Sequence, residues 1–186
     1  EFHMHALIDN LITLAVGYLQ KEDPISAERL LKQSLVVAPK NSEALRLLGV
    51  VYAFKKDLPE ALRALDRSIK ADPNNWLAHS NRGNVLRDLN QFEAALKSYD
   101  KAIALQPNYA EAHNNKGNLY QDLRRYEDAI KSYDRAIAID PNYADAYGNA
   151  GNALNKLKLY ELALTAYEKV MGLGDANERY LSAYLS

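Results

Sequence analysis

The sequence predicts an all-α protein made of five copies of one helix–turn–helix unit, and three sets of residues indicate this fold class. Glycines, alanines and prolines each recur along the chain at a constant step of 34 residues. A fixed period of this length is typical of arrays in which one pair of helices stacks on the next. The three sets are Gly49, Gly83, Gly117 and Gly151; Ala61, Ala95, Ala129 and Ala163; and Pro73, Pro107 and Pro141.

The same register extends backwards, since Ala15, Ala27 and Pro39 occupy the glycine, alanine and proline positions of a first unit. The predicted repeats are 8–41, 42–75, 76–109, 110–143 and 144–177. Residues 1–7 begin with Glu-Phe-His-Met, which resembles a translated cloning junction, and continue into the start of a helix. Residues 178–186 return to a helical pattern and are interpreted as a capping helix or a helix cut short.

Each recurring position has a packing role within a pair of helices, A followed by B. A small residue at position 8 and an alanine at position 20 let two helices cross closely, because larger side chains would force them apart. Aromatic or leucine residues at positions 11 and 24 fill the remaining space. The proline at position 32 follows helix B, which it cannot continue. In the third repeat the apolar stripe of helix B consists of Ala95, Leu96, Tyr99, Ala102 and Ile103.

A unit with glycine at 8, an aromatic at 11, alanine at 20, an aromatic at 24, alanine at 27 and proline at 32 resembles the tetratricopeptide repeat (TPR). Repeats three and four match this pattern nearly throughout, whereas repeat two has Ser68 and repeat five has Val170 and Asp175 at usually conserved family positions. The resemblance covers about 170 of the 186 residues. It implies an α–α superhelix, a solenoid of stacked antiparallel helix pairs whose A helices line a concave groove.

Composition and motifs exclude several function classes. The 23 basic and 24 acidic residues leave a net charge of −1, which predicts neither nucleic-acid nor membrane binding. The absence of cysteine excludes disulfides and thiolate sites, and no apolar run is long enough to span a bilayer, so we expect a cytoplasmic protein. No nucleophile–base arrangement or phosphate-binding loop is present, so we expect no enzyme activity and no cofactor. His79 and His113 share position 4 of their repeats and are interpreted as packing residues, with no metal site.

In the arrangement that the resemblance implies, positions 2, 5, 6, 9, 12 and 13 of each repeat line the groove. In repeats one and two the residues at these positions are mainly apolar: Ile12, Val16, Leu19, Leu47, Val50, Ala53 and Phe54. In repeats three to five amides predominate, although an asparagine inside a helix costs up to ~0.7 kcal/mol relative to alanine. Because an amide both donates and accepts hydrogen bonds, a row of amides suits an extended peptide backbone. The candidate peptide-binding residues are Asn81, Asn84, Arg87, Asn114, Asn115, Asn118, Gln121, Asn149, Asn152 and Asn155.

The amides also have a structural interpretation, in which asparagines at positions 6 and 9 bond between adjacent A helices and order the stack; the two roles are compatible. The favoured function is a scaffold that binds a protein or an extended peptide. The motif Asn-x-Gly-Asn, at 81–84, 115–118 and 149–152, resembles the arrays of O-linked N-acetylglucosamine transferase and bacterial relatives, which implies the alternative of a substrate-recruiting segment of a larger enzyme.

Two further hypotheses concern partners. A self-associating array would pair the ends of the solenoid, with Phe2, Leu7 and Ile8 at one end and the apolar residues of 178–186 at the other, giving a homo-oligomer. A clamp for acidic chaperone tails is disfavoured, because Glu111 and Asp145 occupy positions at which such a clamp needs cations.

Overall fold

A computed structural model describes residues 2–173, and within this range it contains ten α-helices and no strand. The chain divides into two compact units, of which the first ends at Leu105 and the second begins at Gln106. Unit 1 contains α1 (Phe2–Gln20), α2 (Pro24–Val37), α3 (Ser42–Phe54), α4 (Leu58–Ala71), α5 (Trp76–Asp88) and α6 (Phe92–Leu105). Unit 2 contains α7 (Ala110–Asp122), α8 (Tyr126–Ile139), α9 (Ala144–Lys156) and α10 (Tyr160–Gly172).

The helix bounds follow the period of the sequence. The A helices α3, α5, α7 and α9 begin at residues 42, 76, 110 and 144, and the B helices begin at 24, 58, 92, 126 and 160, so each type recurs every 34 residues. Within each unit every helix packs against the next one along the chain, and neighbouring A helices also touch. These pairs confirm the predicted all-α class. None of the helices in residues 2–173 is long and apolar enough to cross a membrane.

The recurring glycines lie where helix A meets a large side chain of its own helix B, which is Leu65 for Gly49 and a tyrosine for the other three. A Cβ atom placed on Gly83 would lie 2.7 Å from Cδ1 of Tyr99, and one on Gly151 would lie 2.9 Å from Cδ1 of Tyr167. Contacts this short force a neighbour to move, and the Tyr99 ring is completely buried. The predicted reason for the small residue at position 8 is therefore correct.

The turn between helices A and B places one residue per repeat in the left-handed region of backbone conformation. These residues have φ between 57° and 63°, and they recur at the same step of 34. For an L-residue with a Cβ atom this conformation is unfavourable, and glycine or asparagine is the usual choice at such a helix end. The five residues are Glu22, Lys56, Asn90, Arg124 and Lys158.

Helix starts differ between the two units. In unit 1, the side chains of Asp23, Asn41, Asp57 and Asn75 each accept a hydrogen bond from a backbone N–H in the first turn of α2, α3, α4 and α5. The donors from Ser26 also hold the pKa of Asp23 below its ordinary value. In unit 2, α7 to α10 follow Tyr109, Arg125, Tyr143 and Leu159, none of which makes a side-chain cap. The capping helix predicted for 178–186 lies outside the described residues.

Candidate functional site

The structure places nine of the ten predicted site residues in half-buried positions on A helices, where part of each side chain is accessible. Asn81, Asn84 and Arg87 lie on α5 in unit 1, and the other seven lie on α7 and α9 in unit 2. The exception is Asn114, which is only 4% exposed. Its side chain is therefore a support for its neighbours and offers almost no surface to a ligand.

Asn114 joins the two A helices of unit 2. Its Oδ1 atom accepts a hydrogen bond from Nδ2 of Asn149 at 3.0 Å, and its side chain also bonds to the hydroxyl of Tyr143. The structural interpretation of the amides predicted such bonds for asparagines at positions 6 and 9, whereas this one joins position 5 of repeat four to position 6 of repeat five. Glu111 and Asp145, which are 34 residues apart, are each the second residue of their helix, α7 and α9.

The asparagines at position 9 each accept a hydrogen bond from a buried tyrosine of helix B in their own repeat. The hydroxyl of Tyr99 donates to Oδ1 of Asn84 at 2.7 Å in unit 1. In unit 2, the hydroxyl of Tyr133 donates to Asn118 at 2.8 Å and that of Tyr167 to Asn152 at 2.9 Å. Because the hydroxyl occupies the oxygen end of each amide, it fixes the side-chain orientation and leaves the Nδ2 group as the end that can donate to a ligand.

These tyrosine–asparagine pairs have a signal in the sequence that the packing argument missed. Position 9 is asparagine in the three repeats in which position 24 is tyrosine, and it is valine (Val16, Val50) in the two repeats in which position 24 is leucine (Leu31, Leu65). The two positions therefore change together within one chain, from an apolar pair to a hydrogen-bonded pair. The tyrosines therefore fill space between the helices, as predicted, and their hydroxyls also orient the amides.

The remaining candidates have a variety of surroundings. Nδ2 of Asn81 is buried without a hydrogen-bond partner among the described residues. Gln121 accepts a second, longer hydrogen bond of 3.3 Å from the Tyr133 hydroxyl, while Asn115 and Asn155 are half-buried on α7 and α9.

In the predicted apolar part of unit 1, Leu47 is 5% exposed and belongs to the core, whereas Phe54 is 53% exposed. Apolar surface at these positions is thus smaller than the sequence alone predicted.

Carboxylates surround Tyr143 at one end of the unit 2 A helices. Burial, with the negative charges of Glu111 and Asp145 next in importance, raises the pKa of Tyr143 to about 12. Asp140 adds to the same effect, and the side chains of all three acids are exposed. A second tyrosine contacts one of these acids, since the hydroxyl of Tyr109 donates to Oε2 of Glu111 at 2.8 Å. This end of the A helices is therefore aromatic and negatively charged.

In repeats three to five, the residue at position 4 contacts the turn before its A helix. Nε2 of His79 lies 3.0 Å from the carbonyl oxygen of Pro73, and Nε2 of His113 lies 3.1 Å from that of Pro107. In repeat five the hydroxyl of Tyr147 donates to the carbonyl oxygen of Pro141 at 3.1 Å. The histidines and the tyrosine thus make the same contact, which is a structural role.

Sequence comparisons match family models over most of the chain. A model described as "TPR repeat" matches residues 83–123, and three models described as "Tetratricopeptide repeat" match residues 110–143, residues 12–75, and residues 64–97 together with 132–165. Together the matches run without a gap from residue 12 to residue 165. No curated protein matches the sequence.

Comparison with solved structures gives the same fold. MamA, known from a crystal structure, is 26% identical in sequence to this chain. The match has a TM-score of 0.73 and covers 89% of this chain and 97% of the MamA chain. The Pseudomonas aeruginosa protein pilF is 21% identical, with a TM-score of 0.88 over 97% of this chain and 82% of pilF. YrrB, described as a TPR protein with an unusual peptide-binding site, is 23% identical, with a TM-score of 0.71 over 95% of this chain and 91% of YrrB.

Proposed function

The chain belongs to the tetratricopeptide repeat family, and from that premise we propose that it is an interaction scaffold whose A helices bind an extended segment of another polypeptide. The observation that supports this proposal is the set of oriented amides at Asn84, Asn118 and Asn152. A side chain whose oxygen is held by a buried hydroxyl has lost rotational freedom before any ligand arrives. Binding to its amino group therefore costs less ordering entropy than binding to a mobile amide.

An extended peptide presents backbone carbonyl groups that accept hydrogen bonds, and these match the Nδ2 donors. Asn118 and Asn152 lie on the neighbouring helices α7 and α9, one repeat apart, so a strand-like segment crossing both helices meets one donor from each. Recognition through backbone groups tolerates many side chains. The neighbour YrrB is described as having a peptide-binding site, which is the class of activity proposed here.

The test must separate recognition from stability, because each asparagine also has a structural bond. Replacing Asn118 and Asn152 with aspartate keeps Oδ1 as the acceptor for the tyrosine hydroxyl and removes the Nδ2 donor. We expect the double variant to keep its melting temperature and to lose binding to those neutral peptides that the wild type retains from an array of short random sequences. The matched control is Asn108→Asp with Asn142→Asp, which makes the same chemical change at exposed turn positions just before the same two helices, α7 and α9.

Two results would contradict the proposal. In the first, the wild-type protein retains no peptide from the array. In the second, the Asn118→Asp/Asn152→Asp variant binds the same neutral peptides as tightly as the control variant does. The second result would leave the tyrosine–asparagine pairs with a structural role alone.

A second candidate, self-association, is supported by an apolar surface on α1. Leu14 is 56% exposed, whereas Leu48, its equivalent 34 residues later, is 5% exposed because α3 packs against other helices of unit 1. Met4 and Leu7 are also exposed on α1, but Ile8 is buried and belongs to the core, so it is unavailable as a contact. Light scattering over a range of concentrations tests this candidate: association should appear in the wild type and disappear in Leu14→Glu, and a mass fixed at one protomer would exclude it.

A further inference from the structure

Repeats one and two are joined by charged side chains at a place where the other repeats have apolar ones. Oε1 of Glu28, on α2, lies 2.6 Å from Nζ of Lys32, and its Oε2 lies 2.8 Å from Nζ of Lys55, the residue that follows α3. Both lysine Nζ atoms also lie 6.0 Å from the centroid of the Tyr52 ring. The side chain of Glu28 is 15% exposed. Glu28, Lys32 and Lys55 together form an ion-pair cluster.

This ion-pair cluster departs from the repeat pattern at all three of its positions. Glu28 occupies position 21, which is apolar in the other four repeats: Leu62, Leu96, Ile130 and Leu164. Lys55 occupies position 14, which is leucine in the three repeats that follow: Leu89, Leu123 and Leu157. Lys32 occupies position 25, where the other four repeats have an acid. Three changes that meet in one contact are expected if the three charges act together.

The equivalent contact one repeat later is apolar. Leu62 and Leu89, which are separated by the same 27 residues as Glu28 and Lys55, both pack against one core cluster. Added salt screens partly exposed charges, whereas it does not weaken the burial of apolar surface. The side chain of Lys32 is 57% exposed and that of Lys55 is 39% exposed. The contact between repeats one and two is therefore the one that salt weakens.

Repeat one has a single main contact with the rest of unit 1. Among the described residues, α1 and α2 pack chiefly on each other and on α3. In an array of repeats, a unit held through one neighbour opens locally at a lower cost than a unit held on both sides. Leu31 of α2 belongs to the same core cluster as Leu48 and Val51 of α3. Separation of repeat one from α3 therefore exposes apolar surface on both sides.

We propose that the ion-pair cluster controls how often repeat one separates from α3, and that ionic strength sets the extent of this opening. Salt weakens the cluster, and Leu48 and Val51 then become accessible while the rest of unit 1 stays folded. Hydrogen bonds from Lys32 and then Lys55 hold the pKa of Glu28 below its ordinary value, so its carboxylate is charged at neutral pH. The opening needs no peptide, so its test is independent of the proposed function.

Hydrogen exchange of the full chain, followed by mass spectrometry at one pH, measures the opening of each helix. Between about 20 mM and about 500 mM sodium chloride we expect the opening equilibrium of α1 and α2 to rise about three- to fivefold, as partly exposed ion pairs would give. Exchange in α8 and α9 should change by less than about 1.5-fold, because positions 21 and 14 there are the apolar Ile130 and Leu157.

The key variant is Glu28→Gln with Lys55→Gln, which removes both charges of the contact between α2 and α3. It should open more readily than the wild type at low salt and should not respond to salt. Glu28→Leu with Lys55→Leu introduces the apolar pair of the other repeats and should open least at high salt. The matched control, Glu22→Gln with Lys40→Gln, removes the same two charges from exposed turn positions before and after α2 and should keep the wild-type response.

Three results would overturn the inference. In the first, the exchange of α1 and α2 in the wild type does not change with salt. In the second, the salt response survives in Glu28→Gln/Lys55→Gln, or is lost in the control variant as well. In the third, α8 and α9 open with salt as much as α1 and α2 do, which would show that salt acts on the whole fold.

Discussion

Replacing Gly117 with alanine should destabilise unit 2 through one identified contact. A Cβ atom at this position would lie 2.7 Å from Cδ1 and 2.9 Å from Cζ of Tyr133, whereas ordinary contacts begin near 3.4 Å. The ring cannot move away easily, because Tyr133 is completely buried and its hydroxyl donates to Oδ1 of Asn118 at 2.8 Å. The added methyl group must therefore displace either the ring, with its hydrogen bond, or the helix backbone.

The magnitude follows from three contributions. Overpacking in a well-packed core costs typically about 1–3 kcal/mol. Weakening the buried hydrogen bond of Tyr133 costs about 1 kcal/mol more. Alanine gains back about 1 kcal/mol because it favours the helix over glycine. We therefore expect Gly117→Ala to lower the free energy of unfolding by about 1–3 kcal/mol.

Urea denaturation followed by far-UV circular dichroism measures this change. Gly17→Ala is the matched control, because a Cβ atom at Gly17 would meet nothing within 4 Å, so this variant should gain about 0.5–1 kcal/mol. Tyr133→Phe keeps the ring and removes the hydroxyl, and it should cost about 0.5–1.5 kcal/mol, which isolates the hydrogen bond. A Gly117→Ala variant that is as stable as the wild type, or that gains as much as Gly17→Ala, would contradict the predicted clash with Tyr133.

Three further predictions concern helix ends and pH. Leu159→Asp should stabilise the protein by about 1 kcal/mol, since the backbone at Leu159 (φ −88°, ψ 64°) resembles that of the capping Asp57 (φ −87°, ψ 72°). Lys56→Gly should stabilise it by about 0.5–1 kcal/mol by relieving the left-handed conformation at φ 63°. Burial lowers the pKa of His113 in the folded protein below its ordinary value of 6.5. As pH falls below 6.5, the unfolded chain therefore binds a proton before the folded protein does, and the free energy of unfolding decreases until the pKa of folded His113 is reached. His113→Tyr should lose less stability than the wild type over that range.

Each of these predictions has a control within the chain, and urea denaturation measures all of them. Leu159→Ala removes the same exposed leucine without adding a cap, so an aspartate variant no more stable than this alanine variant would contradict the capping argument. Lys97→Gly makes the lysine-to-glycine change inside α6 and should cost about 1 kcal/mol; a gain there would show that the Lys56 result does not depend on backbone conformation. Tyrosine fits position 4, since Tyr147 occupies it in repeat five. If His113→Tyr and the wild type lost the same stability at low pH, His113 would be excluded as the cause of that loss.

Much of the fold was predictable because the 34-residue period determines which residues are equivalent. The small residue at position 8 and the aromatic at position 24 implied a close crossing of helices, and the contact between Gly83 and Tyr99 confirms it. The left-handed turn residues were harder to predict. Asn90 has a known preference for that conformation, whereas lysine and glutamate have none, so Lys56 and Glu22 gave no local signal.

The candidate site was predictable as a set of positions, since helical spacing determines which residues share a face. The atoms that remain available to a ligand could not be predicted in the same way. Asn114 and Asn118 look alike in the sequence, but the first is buried between α7 and α9 and the second is half-buried with its oxygen held by Tyr133. The use of these residues in binding remains a prediction.

The repeat, the order of the helices and the positions of the amides all follow from the amino-acid sequence, because periodicity is a property of the chain and needs no distances. The tertiary structure decided how each amide is used. A tyrosine hydroxyl reaches an asparagine 15 residues earlier only because glycine lets helices A and B approach closely. That distance depends on packing of the two helices together, and it selects which end of the amide stays available as a donor.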